Sequence, residues 1–116
     1  MNILIISGVE AKNSEVLRDT EATISCLVTG LTKQLDKVTW KKPSSGGDMN
    51  DGDDGYRILV GSYQKDDNSQ TTILTIPVGK NTADLVYTCV IQCDDHGKTV
   101  GNEESRDVKS NVFGES

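Results

Sequence analysis

From Ala22 to Val28 the chain alternates at every position. Ala22, Ile24, Cys26 and Val28 fall on one side, Thr23, Ser25 and Leu27 on the other. A period of two puts the two sets on opposite faces of an extended strand, one face turned to a core. The same signature recurs in short runs. Lys37-Val38-Thr39-Trp40-Lys41 alternates and stops before Pro43, which has no N–H for a ladder. Tyr56 to Gln64 is strand-like, with Ile58 and Val60 on one face, and in Thr72–Ile76 the residues Leu74 and Ile76 share a side. Leu85–Gln92 aligns Tyr87, Cys89 and Ile91, and Arg106–Phe113 forms a last strand. Ile3–Ser7 reads as a first strand ended by Gly8, and Val16-Leu17 as a short extended piece after it. No helical period appears anywhere. About eight short strands between turns predict an all-β chain, an antiparallel sandwich or barrel.

The connections carry turn chemistry. Ser44 to Gly55 holds four Asp and four Gly, including Asp51-Gly52 and Asp54-Gly55, and reads as a loop. Asp66-Asp67-Asn68-Ser69 makes another turn, Gly79–Ala83 a further break, and Asp94–Glu104 a loop before the last strand. With 116 residues there is room for one core, so residues 1–116 are expected to form a single domain with a strand core over about 3–113. Only 34% of residues are hydrophobic and 4% aromatic, so that core must be thin. Eighteen acids against twelve bases give a net charge of −6. Duplex nucleic acid and anionic membranes attract the opposite sign, so neither is an expected partner. No stretch approaches eighteen apolar residues, and no direct membrane insertion is expected. Met1 reads as the start of a domain cut from a longer protein.

Three features then coincide. Cys26 lies inward on an early strand, Trp40 inward on the next, and Cys89 inward on the penultimate strand within Asp84-Leu85-Val86-Tyr87-Thr88-Cys89. With the strand order, this set resembles the immunoglobulin superfamily, of variable-like or intermediate type. In that family an inter-sheet Cys pair packs on a Trp, and a Tyr stands two residues before the second Cys. The resemblance runs from Ile3 to Phe113. It implies an immunoglobulin-like antiparallel β-sandwich of two sheets with Greek-key connections. It also implies a Cys26–Cys89 disulfide, closing a loop of about sixty residues and worth roughly 4 kcal/mol in the chain-entropy account. Trp40 and Leu74 would be core, and Tyr87 would turn its hydroxyl back to the backbone near Asp84. Arg57 would pair with Asp84. A fully variable-type domain would need further strands after Trp40, and the sequence offers only one clear strand, Tyr56 to Gln64, before Leu74.

Candidate functional positions lie mostly in loops, because a rigid scaffold presents its recognition residues at loop tips. Lys33 to Asp36 and Asp94 to Glu103, with Asp95 and His96 between, are the expected partner-contacting loops. The acid loop raises a calcium alternative through Asp48, Asp51, Asp53 and Asp54, although Gly52 stands where an EF-hand would need a ligand. Cys93 points inward with Cys89 and leaves three readings open: a buried thiol, a bridge to another chain, or competition for Cys26. Thr39, Lys41, Thr88, Val90 and Gln92 make the outward face of two strands, too polar for pairing in the antibody manner. One His, no Ser–His–Asp order and no phosphate-binding loop give catalysis no footing, so no enzyme and no cofactor are expected. The resemblance implies an extracellular recognition module, secreted or cell-surface, that binds a protein in adhesion or innate immunity. The alternatives are a spacer repeat among neighbouring domains of a tandem adhesion or matrix protein, and a calcium-binding module. The expected state is a monomer or a weak self-associate.

Overall fold

The computed structural model describes residues 8–12, 14–94 and 101–114. Nine strands follow in order: β1 (Gly8–Lys12), β2 (Ser14–Leu17), β3 (Ala22–Thr29), β4 (Lys37–Lys41), β5 (Asp48–Met49), β6 (Arg57–Val60), β7 (Gln70–Ile76), β8 (Leu85–Asp94) and β9 (Gly101–Phe113). They form two sheets, ordered β1-β3-β7-β6 and β2-β9-β8-β4-β5. The chain crosses between the sheets at β1→β2, β2→β3, β3→β4, β5→β6 and β7→β8, the Greek-key course of an immunoglobulin-like sandwich. Every ladder is antiparallel except β2 on β9. One extra strand, β5, flanks β4 where a variable-type domain has two.

The inward residues of facing strands meet as the alternation predicts. Ile24, Cys26, Trp40, Leu74, Ile76, Tyr87 and Cys89 are fully buried in one cluster. Cys26 Sγ bonds Cys89 Sγ across a sequence separation of 63. A second cluster joins Val28, Leu31, Leu35, Ile91 and Cys93 above it. Cys93 is buried there, outside the disulfide.

Two cross-sheet ties run side by side. Cys26 pairs in register with Thr72, and Cys89 with Trp40. The Trp40 indole N–H donates to Thr72 Oγ1 at 2.9 Å, and that hydroxyl donates on to the Leu59 carbonyl at 3.0 Å. The covalent bond joins one member of each pair and the hydrogen bond joins the other. Burying an indole N–H without a partner costs free energy, so Thr72 is what makes this position fit for Trp.

Several expectations need correction. The expected Ile3–Ser7 strand lies outside the described residues. Gly8 is not a strand end: it pairs with Thr29 and the strand runs on to Lys12, and a Cβ at Gly8 would come within 2.6 Å of Thr29 Oγ1. Val9 and Ala11 then face the core opposite Val28 and Cys26. The run Ser44–Gly55 is not all loop: Met49, its one apolar residue, is buried opposite Trp40 and makes β5. Asp94 and Glu103-Glu104 belong to an extended β8–β9 ladder rather than to a loop. Glu103 is exposed there, so backbone pairing rather than side-chain burial keeps it in the strand. Val60 shares a face with Ile58 but remains 46% exposed, since β6 is the sheet's edge.

Two side-chain roles also differ. Tyr87 is fully buried, yet its hydroxyl meets the Tyr56 hydroxyl at 3.0 Å instead of the backbone near Asp84. The two rings sit edge to face at 5.8 Å, which places Tyr56 as the nearer partner. Arg57 makes no ion pair with Asp84 among the described residues. Asp84 accepts the Val112 N–H at 2.6 Å and pairs with Lys109 at 3.4 Å, so its carboxylate is taken up by β9.

Candidate functional site

The outward sides of β4, β8 and β9 stack into rows fixed by register. Lys37, Gln92 and Glu103 form one row, Thr39, Val90 and Ser105 the next, and Lys41, Thr88 and Asp107 the third. Asp48 of β5 extends the third row beyond Lys41. The middle row is short, the outer rows are long or charged, and a trough of about 320 Å³ results. It is lined by Lys37, Thr39, Lys41, Asp48, Thr88, Val90, Gln92, Glu103 and Ser105. Strands lie about 4.8 Å apart, so the trough spans roughly 10 Å from Lys37 on β4 to Glu103 on β9.

Its charge is arranged unevenly. Lys41 Nζ donates to Asp48 Oδ1 at 2.8 Å. That hydrogen bond and charge hold the Asp48 carboxyl below its usual value, with a smaller contribution from Lys37. Thr88 donates to Asp107 at 2.8 Å. Lys37 and Glu103 make no hydrogen bond or ion pair among the described residues, and they stand at opposite ends of one row. The trough thus presents a cation at its β4 end, an anion at its β9 end and Val90 on its floor.

The loop between β3 and β4 sits over the same end. Leu31 and Leu35 are buried, and the Leu35 N–H donates to the buried Gln70 Oε1 at 2.9 Å. Gln70 Nε2 donates in turn to the Gly61 carbonyl at 2.8 Å. The Asp36 N–H donates to the Gln92 carbonyl at 3.0 Å, tying the loop to the trough's upper row. Between these anchors Lys33 and Asp36 form a half-exposed ion pair of 3.3 Å. Anchored in this way, the loop presents Lys33 and Asp36 from a fixed base.

Of the expected contact residues, the structure gathers Lys33, Asp36 and Glu103 near this end. Asp95 and His96 lie outside the described residues, and of Asp94 only the backbone course is described. Thr39, Lys41, Thr88, Val90 and Gln92 share one face as the alternation indicates. Lys37 and Ser105 were missed: continuing the β4 alternation by one step would have found Lys37, whereas Ser105 lies on β9 just before the strand expected there. Asp48 was read for calcium and is instead a wall of the trough.

The acid loop's carboxylates do not converge. Asp51 Oδ1 accepts the Ile58 N–H at 2.8 Å and Asp53 Oδ2 accepts the Asn50 N–H at 2.9 Å, each serving its own turn. Among the described residues no group of three or more His, Cys, Asp or Glu side chains is placed to hold a metal ion. Likewise no described helix is long and apolar enough to cross a membrane.

Comparison with known proteins agrees with the sheets. The immunoglobulin domain family matches residues 12–101. Comparison with curated proteins gave no match. That match covers most of the chain, and with the two sheets and the Cys26–Cys89 bond it settles kinship: the chain belongs to the immunoglobulin domain family.

Proposed function

We propose that this chain is a recognition domain of an extracellular protein, and that it contacts a protein partner through the trough and the Lys33–Asp36 loop. The family supports a protein-interaction module in general, and the disulfide fits an oxidising compartment. The trough carries the finer reading. It is a concave surface on a paired ladder, walled by charged ends, Lys37 and Glu103, that make no ion pair among the described residues. A partner loop with a carboxylate and an amine roughly two strand spacings apart would satisfy both ends. The module works as one domain and performs no chemistry, in an adhesion or innate-immune setting.

The test is a binding screen of the chain against cells or extracellular protein arrays, followed by Lys37→Glu and Glu103→Lys. Each swap should weaken the captured interaction while leaving the melting temperature in place. Undiminished binding by both variants would refute the trough as the contact surface.

A spacer role has one observation in its favour. Leu17 and Phe113 pair side by side on the β2–β9 edge and are 48% and 52% exposed. A neighbouring domain could cover them. Under that reading Phe113→Ser would raise the solubility of the isolated chain and leave partner binding intact.

A further inference from the structure

Asp51-Gly52 and Asp54-Gly55 are the same dipeptide, three residues apart in one turn, and the structure holds them differently. Asp51 Oδ1 accepts the Ile58 N–H at 2.8 Å, and the Gly52 N–H donates to the Tyr56 carbonyl at 2.7 Å. The carboxyl group and the amide that would react with one another are therefore both held in hydrogen bonds. Asp54 is exposed, and its carboxylate makes no hydrogen bond or ion pair among the described residues. Its backbone is left-handed, at φ 50° and ψ 26°, a conformation that L residues with a Cβ rarely adopt. The Gly55 N–H reaches the Gly52 carbonyl only at 3.3 Å.

We propose that Asp54-Gly55 is a site of spontaneous isoaspartate formation, and that Asp51-Gly52 is protected from the same chemistry. The Gly55 amide nitrogen attacks Asp54 Cγ in its protonated carboxyl form. A C–N bond forms, and the carboxyl hydroxyl leaves as water together with the amide proton. The product is a five-membered succinimide. Water then adds to one of the two ring carbonyls and breaks its bond to nitrogen. Opening at the side-chain carbonyl restores Asp54, and opening at the main-chain carbonyl sends the backbone through Cβ. One water is lost and one regained, with no oxidant or reductant. Glycine suits the attacking position because it puts no side chain beside the nitrogen, and opening the turn relieves the left-handed backbone of Asp54.

The consequence is structural. An isoaspartate adds a backbone carbon two residues before Tyr56, whose hydroxyl meets Tyr87 in the core.

The experiment incubates folded protein at body temperature in mildly acidic buffer. Isoaspartate is located over time by enzymatic carboxyl methylation and peptide fragmentation, and the urea-unfolded chain runs in parallel. The unfolded chain should react at both dipeptides at similar rates. In the folded chain Asp54 should react roughly tenfold faster than Asp51, the ratio expected when one further hydrogen bond of ordinary strength must break first. Asp54→Glu, which would need a larger ring, should remove the folded-state signal. Equal or faster reaction at Asp51 in the folded chain would overturn the proposal. So would a signal at 54 that appears only after unfolding, or one that persists in Asp54→Glu.

Discussion

Strands β4 and β8 show two opposed surfaces, and their inner and outer rows obey different rules. On the inner side Trp40 and Cys89 are fully buried, side by side, each tied to the opposite sheet, one by a hydrogen bond and one by a covalent bond. On the outer side, one residue along, Thr39 and Val90 form the floor of an open trough. Every inner residue answers to several neighbours at once, so its identity is dictated by packing. An outer residue answers chiefly to its in-register neighbours and to whatever docks there. One ladder therefore supports a core that resists change beside a surface free to specialise.

Substitutions can break or sharpen this contrast. The largest effect should come from Cys26→Ala with Cys89→Ala, which removes the covalent tie and about 4 kcal/mol of stability, measured by chemical denaturation. Retention of full stability would mean that packing alone holds the sheets. Thr72→Val leaves the Trp40 indole N–H buried without an acceptor, and we expect a loss of about 1–3 kcal/mol in the same assay. Tyr56→Phe, which removes only one of two paired hydroxyls, should cost about 1 kcal/mol.

The buried pair also predicts a pH dependence. Burial first, then the hydrogen bond with Tyr56, raises the Tyr87 phenol well above its ordinary value of 10.0. The folded chain keeps that proton where the unfolded chain loses it. The contribution is therefore whole below about pH 10 and falls as pH rises further. Urea midpoints between about pH 9 and about pH 11 should decline in the parent, and a flat profile would contradict the sign. On the outer side, Lys37→Glu or Glu103→Lys should move stability by no more than about 0.5 kcal/mol. Large destabilisation by either would erase the distinction between the two rows.

What the sequence disclosed follows the same division. Ala22, Ile24, Cys26 and Val28 announced their face because a core residue and its solvent neighbour differ in chemistry at every step. Trp40 and Cys89 announced theirs likewise, and the outer face of Thr39, Lys41, Thr88, Val90 and Gln92 came with them. Thr72 could not be seen as the acceptor for Trp40, because it lies 32 residues away in the other sheet and looks like any strand threonine. Strand β5 was hidden because two residues carry no period, and only Met49 among acids and glycines hinted at it. The β8–β9 extension stayed hidden because a ladder in water needs no apolar side chains. Arg57 and Tyr87 were assigned partners by resemblance, and local geometry chose others: Lys109 and Val112 for Asp84, Tyr56 for Tyr87.

The bond from Asp51 to the Ile58 N–H has a consequence for how this molecule behaves in company. Strand β6 is the last in its sheet, four residues long, and Leu59 and Val60 lie largely exposed along it. Such a margin invites another chain to add a strand and another after it. The Gly61 N–H runs inward to the Thr71 carbonyl, so the amides of Ile58 and Val60 face away from the sheet. A turn carboxylate already occupies the first of these, and its negative charge stands where an arriving carbonyl oxygen would have to come. The Asp51 carboxylate thus blocks one of the outward amides on the open margin, an obstacle to the addition of a strand there.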